Sequence, residues 1–221
     1  MTDDALVTED RPIAIGVVLA GGASTRMGAD KASLVVDGEP LGARAARCLG
    51  AVCRRVVIAS GDGRRLGSLR WPQVADAVGD VGPLGGVLAA LELADSGDDV
   101  VAVVAVDLPH ADASLLVALE VQLRRRGASV VAPRHAGTLQ PLHSVWRART
   151  ADGLRGYLER GGRSVRGGFD QLDGVAVDVD HLDPAGRFAF NLNRPEDLAA
   201  LRGSGSRESR PDLSGQGPEV E

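Results

Sequence analysis

Short apolar runs rich in Val, Ile and Ala alternate along the chain with longer stretches in which Leu, Val and Ala recur every three or four residues. "IAIGVVLA" (13–20), "RVVIAS" (55–60), "DVVAVVAV" (99–106), "ASVVAPR" (128–134) and "GVAVDVD" (174–180) have the length and β-branched content of strands. Several are apolar without alternation, the pattern of strands covered on both faces. Between them, "PLGARAARCLG", "GPLGGVLAALELA", "ASLLVALEVQLRRR" and "RTADGLRGYLERG" carry helical spacing. "TLQPLHSVW" (138–146) predicts a further extended segment, antiparallel and at a sheet edge.

Strand and helix alternating in this way predict an α/β fold: a three-layer sandwich with a Rossmann-like, mostly parallel (mixed) sheet and helices on both faces. Residues 1–11 and 203–221 are polar, and the latter are rich in Gly, Ser and Pro. They are expected to be disordered extensions flanking one domain at 12–202.

Composition narrows the function classes. A chain of 221 residues, 44% of them hydrophobic, suffices for one sizeable core. A net charge of −5 gives no electrostatic reason to expect nucleic acid or an acidic membrane as partner. Aromatics at 3% also argue against a base-stacking platform. Cys48 and Cys53 match neither a zinc ligand set nor a disulfide framework, and read as apolar filler of a reduced protein. No run of 18 apolar residues exists, and the acidic start "MTDDALVTEDRP" is unlike a signal peptide. A cytoplasmic protein is expected.

The chemistry concentrates where the first strand stops. Gly21 and Gly22, followed by Ala23 and Ser24, leave backbone N–H groups uncrowded, as loops that cradle phosphates require. Neither the dinucleotide fingerprint GxGxxG nor the P-loop GxxxxGK[ST] fits. Ten residues after Gly21 comes Lys31, the single lysine among 25 basic residues. A lysine kept in a chain that otherwise uses arginine suggests a place too narrow for a guanidinium, beside phosphates. A plain ion pair with Asp30 or Asp37 is the competing reading. Arg26 can supply a second cation.

Three other segments complete a candidate site. Asp107, in "AVDLPH", follows the strand at 99–106, on the edge where ligands of open α/β sheets bind, and suits Mg²⁺. Asp76 ends a short strand ahead of the turn Gly82–Pro83–Leu84–Gly85–Gly86, which could admit a flat base or simply pack a helix. The chain's two asparagines, Asn191 and Asn193, both lie in "FNLNRPEDL" and fall on one side of an extended segment. Asn193 also reads as a helix cap.

Taken in order, "LAGGASTRMGADKASL", "GPLGGVLAAL", "VDLPH", "QPLHSVW" and "NLNRPEDL" resemble the molybdenum cofactor guanylyltransferases, nucleotidyltransferases with a glycosyltransferase-A-like fold. The likeness covers roughly residues 13 to 202. It implies transfer of GMP from GTP to the phosphate of molybdopterin with release of pyrophosphate. Leu19-Ala20-Gly21-Gly22, where cytidylyl-transferring relatives read Leu-Ala-Ala-Gly, favours GTP. The resemblance implies nucleotide contacts from Leu19, Ala20 and Gly21, phosphate binding by Lys31 and a place for Asp76 near the guanosine; Gly22, Ser24, Gly82, Pro83, Leu84 and Asp107 complete the expected nucleotide site. Lys31, Arg26 and Asp107 would be catalytic, and Asp107 the ligand of Mg²⁺ (or Mn²⁺). Asn191 and Asn193 would face the acceptor or the metal, and other cofactor-biosynthesis proteins would be transient partners. The chain departs from the family at "IASGDG", where an asparagine is usual, at His110 and at Arg194. Two alternatives stay open: nucleotidyl transfer with another donor (CTP) or phosphorylated acceptor, and a regulatory nucleotide binder without turnover.

Overall fold

A computed structural model describes residues 11–21, 30–193, 196, 197 and 201. The first strand, β1 (Ile13–Leu19), has all seven residues buried. Parallel neighbours flank it: β4 (Cys53–Gly61) and β6 (Val100–Ala105). A short β5 (Gln73–Ala75) extends the sheet beyond β4. On the other side the order runs β6, β9 (His143–Arg147), β7 (Val130–His135), β10 (Val175–Asp178), and β8 (Thr138–Leu139) pairs with β7. The predicted mixed, mostly parallel sheet is therefore present.

Apolar side chains of these strands point to both faces, so each face carries its own core. Ile13, Val18, Val100, Ala102 and Val104 pack under α1 (Leu41–Gly50) and α3 (Ala113–Arg126). Val17, Leu19, Val101 and Val103 pack under α2 (Pro83–Glu92), α4 (Ala151–Glu159) and α5 (Val165–Gln171). Each fully buried aliphatic side chain contributes about 1.5–3 kcal/mol, which makes β1 and β6 the rigid centre. Gly16 lets α1 sit close: a Cβ there would stand 2.9 Å from both Cys53 Sγ and Leu49 Cβ.

One expectation needs correction. β9 is antiparallel but not at an edge; it lies between β6 and β7 with all five residues buried. The interior position is made tolerable by internal bonds: Trp146 Nε1 donates to Ser144 Oγ (2.8 Å), and Ser144 Oγ donates to the Pro141 carbonyl (2.7 Å). Arg11, at the end of the expected N-terminal extension, donates to the Cys53 carbonyl (3.0 Å). The rest of the two predicted extensions, residues 1–10 and 203–221, lies outside the described residues, among which no helix is long and apolar enough to cross a membrane.

Short elements missed by sequence periodicity fill the gaps. β2 (Val35–Val36) and β3 (Glu39–Pro40) form a hairpin, turned by Asp37 and Gly38 at positive φ. The helix α5 contains two adjacent glycines, which blur its apolar repeat, and is capped by Ser164 accepting from the Gly167 N–H.

Candidate functional site

Six strands share one direction, so the carboxyl ends of β1, β4, β5, β6, β7 and β10 form a single edge. From β1 the chain moves outward to β4 and β5, then returns to the opposite side as β6. That reversal makes the carboxyl end of β1 a switch point, where ligands of open α/β sheets bind. Gly21 and Asp107 both lie there.

Lys31 opens a 3₁₀ turn, Lys31–Ser33, capped by Asp30, whose carboxylate accepts from the Ala32 N–H (3.1 Å). Its ammonium lies 3.3 Å from Asp107 Oδ2 and donates to Asn193 Oδ1 at 2.9 Å. The competing pairings are absent: Asp30 is held by Arg65 Nη1 (3.0 Å) and Asp37 by Arg44 (3.0 Å). Three loops distant in sequence thus meet on one cation. The C-terminal loop is also tied by its backbone, Leu192 N–H donating to the Asp107 carbonyl (2.8 Å).

The two asparagines divide. Asn193 reaches Lys31, and its N–H donates to Asp197 Oδ2 (2.8 Å). Asn191 instead turns back and donates to the Ala189 carbonyl (3.0 Å), a local turn bond that takes it out of the cluster.

Asp76 follows β5 directly and sits beside the glycine loop, its Oδ2 3.6 Å from where a Cβ on Gly21 would be. Burial raises its pKa above the ordinary carboxylate value, against the opposing pull of Arg65. Gly85 and Gly86 bring α2 onto this residue: a Cβ on Gly85 would lie 2.5 Å from the Val78 carbonyl and 2.9 Å from Asp76 Cβ. Their role here is close packing. Gly82 adopts φ +67°, leading into Pro83 at the first turn of α2.

The remaining expected contacts are constrained. Leu19 and Leu84 have their side chains in the core, which leaves only their backbone for the expected contact. Ala20 has both backbone groups engaged, its N–H with the Ala59 carbonyl (2.9 Å) and its carbonyl with Arg65. Gly22, Ser24 and Arg26 lie outside the described residues.

Arg65 is a residue that motif reading missed. It bridges Ala20, Asp30 and, through Nε, the Ser60 carbonyl (3.3 Å), bracing both ends of the glycine loop. A signal did exist: Asp62 follows β4 in a Gly-Asp-Gly turn and accepts from the N–H groups of Arg64 and Arg65 (2.9 Å each), an Asx turn that aims Arg65 inward.

Whether this site suits Mg²⁺ can be tested on its carboxylate. Asp107 Oδ1 is buried and has no hydrogen-bond partner among the described residues, a costly state for a carboxylate oxygen. Among the described residues no group of three or more His, Cys, Asp and Glu is placed to hold a metal. A single carboxylate with a free oxygen fits Mg²⁺, which is commonly held by one or two carboxylates together with substrate phosphates.

The chain is similar to the molybdenum cofactor guanylyltransferase of Cereibacter sphaeroides, 37% identical over 187 residues that cover 83% of this chain and 93% of that one. Its identity to the molybdenum cofactor guanylyltransferase of Mesorhizobium japonicum is 34% over 195 residues, covering 83% and 92%. In structure it is similar to molybdopterin-guanine dinucleotide biosynthesis protein A from Archaeoglobus fulgidus, with a TM-score of 0.73 at 22% identity over 87% and 98% of the two chains. Residues 16–175 match the MobA-like NTP transferase domain, and the chain belongs to that family.

Proposed function

We propose that the protein is a cytoplasmic guanylyltransferase that moves GMP from GTP to the phosphate of molybdopterin. The observation that carries the reading is the meeting of Lys31, Asp107 and Asn193 at the carboxyl end of β1 and β6. The names of the relatives support the choice of donor and acceptor.

In this reading a phosphate oxygen of the acceptor attacks the α-phosphorus of GTP. The bond from that phosphorus to the bridging oxygen breaks, and pyrophosphate leaves. The nucleophile is already ionised near neutral pH, so no side chain need act as general base; positioning and charge neutralisation suffice. Lys31 supplies a point charge with three donors to phosphate oxygens. Asn193 fixes the ammonium's direction, and Asp76 lies by the loop that receives the nucleoside. Asp107 would hold Mg²⁺, or Mn²⁺ in its place, which when bound lowers the repulsion between the two anions. Arg26 completes the cation set of the same proposal.

Pyrophosphate release measured with GTP, CTP, ATP and UTP, with and without molybdopterin, tests the reading. Release is expected with GTP and molybdopterin together. Equal release with CTP would overturn the guanine preference, and no release with any donor would leave a binding protein. GTP with Mg²⁺ should likewise raise the melting temperature more than CTP or ATP does, because it binds the native state alone.

A further inference from the structure

A second cleft opens beside the candidate site, on the α1 and α3 face of the sheet. Its volume is about 500 Å³, and it is lined by Arg44, Arg47, His110, Leu182, Asp183 and Arg187, among others. Two of its walls continue the loops that build the site. His110 stands three residues after Asp107, and Arg187 lies on the segment that ends at Asn193. The walls touch each other through the rings of His110 and Phe190, 6.3 Å apart.

Each arginine of the cleft faces a carboxylate, Arg44 Nη2 being held by Asp37 Oδ2 at 3.0 Å, but the pairings leave guanidinium donors over. Glu39 serves two arginines, at 2.9 Å from Arg47 Nη2 and 3.9 Å from Arg44 Nε. Arg44 Nε is buried without a hydrogen-bond partner among the described residues. Arg187, with 78% of its side chain exposed, approaches Asp183 only to 4.0 Å. Asp112 also lines the cleft, but Oδ1 of its carboxylate is used in capping α3. After burial, the guanidinia of Arg44 and Arg187 lower the pKa of His110, against the weaker opposing pull of Asp37 and Asp183. Pro109, Ala111 and Leu182 supply apolar surface in the same space.

We propose that this cleft is the acceptor subsite, taking the body of an anionic, phosphorylated heterocycle whose phosphate reaches the Asp107 end of the site. The assignment rests on the guanylyltransferase reading. Arginines that share carboxylates can re-aim a guanidinium at a ligand oxygen, and a flat ring can lie on Ala111 and Leu182 while the reacting phosphate stays near Lys31. His110 and Arg187 then select for acceptor charge and take no part in binding the nucleotide.

Steady-state GMP transfer by wild type, Arg187→Glu, His110→Ala and Arg166→Glu tests this. Arg187 is exposed, so its substitution leaves the fold intact. Arg166→Glu places the same charge change on α5, on the opposite face of the sheet. The KM for molybdopterin should rise tenfold or more in Arg187→Glu and several-fold in His110→Ala, with the KM for GTP unchanged in both. Arg166→Glu should leave both constants alone. An unchanged molybdopterin KM in Arg187→Glu, with normal turnover by wild type, would overturn the subsite and leave the guanylyltransferase reading standing. An equal rise in Arg166→Glu would overturn it too, as an effect of net charge alone. Failure of wild type to transfer GMP at all would remove the reading itself, and the subsite with it.

Discussion

Lys31 and Asp107 stand 3.3 Å apart across 76 residues of sequence, the ammonium and the carboxylate each mostly shielded from solvent. Asn193 takes a second hydrogen of the same ammonium. The lysine is thereby held ready over the strand ends by one charged and one neutral acceptor, with a third donor left for a ligand.

A guanidinium should not replace it. Lys31→Arg keeps the charge but widens the head group in a turn closed by Asp30 and Ala32. A displacement of ~1 Å can cost ~10²-fold in rate, while the retained charge keeps the pairing with Asp107, so that folding stability should change little. The expected variant melts close to wild type and transfers poorly, with Lys31→Ala at least as impaired. Turnover and thermal unfolding on both variants check it; wild-type turnover in Lys31→Arg would make the lysine dispensable.

Asp107→Asn should retain the fold, since the amide is nearly isosteric and the backbone bond from Leu192 persists. Metal-dependent turnover should fall by about 10² or more, on the scale of one lost transition-state electrostatic contact. Rates measured over a Mg²⁺ titration read this directly. Near-normal rates would reduce Asp107 to a partner for Lys31.

Gly85→Ala tests the packing behind Asp76. Its Cβ would meet the Val78 carbonyl at 2.5 Å, so the loop carrying Asp76 must move. Destabilisation of about 1–3 kcal/mol is expected for such overpacking, together with a smaller thermal shift from GTP. Gly50→Ala, where nothing lies within 4 Å of the new methyl, should be neutral or mildly stabilising. Equal melting temperatures for the two variants would refute the packing argument.

His143 should make stability fall in mild acid. Its ring is fully buried in β9, and neither nitrogen has a hydrogen-bond partner among the described residues. Burial lowers its pKa to about 4, despite the opposing influence of Asp112. The unfolded chain therefore binds a proton near pH 6.5 that the native protein refuses until about pH 4. Stability from this group is complete above pH ~6.5 and drains away as pH falls through that window, in total on the order of 3 kcal/mol. Melting temperatures from pH 7.5 to 4.5 should drop less steeply in His143→Leu; parallel slopes would contradict the assignment.

Much of this could be read in the chain because its signals are local. Uniform apolar runs gave β1, β4 and β6, since strands covered on both faces need no alternation. The composition anomaly at Lys31 pointed to the residue around which three loops meet. What escaped depends on non-local geometry. Nothing in "HSVWR" tells that β9 sits between β6 and β7, because burial of a short strand looks the same at a centre or near an edge. Period-two reasoning put Asn191 and Asn193 on one side, yet a turn bond to Ala189 redirects Asn191. Arg65 was hidden among arginines that all look solvent-bound until the Asx turn at Asp62 aims one of them.

The insertion of β9 has a consequence for how the molecule is made. Residues 100–105, "VVAVVA", gain their outer hydrogen-bonding neighbour only when residues 143–147 arrive. At a synthesis rate of ~5–20 residues per second, that edge waits roughly 2–8 s on the ribosome. It is uncharged, β-branched and without proline, the composition that pairs most readily with a stray strand from another chain. Expression yield and solubility should therefore depend on elongation speed across codons 106–147 more than on the thermodynamic stability of the finished protein.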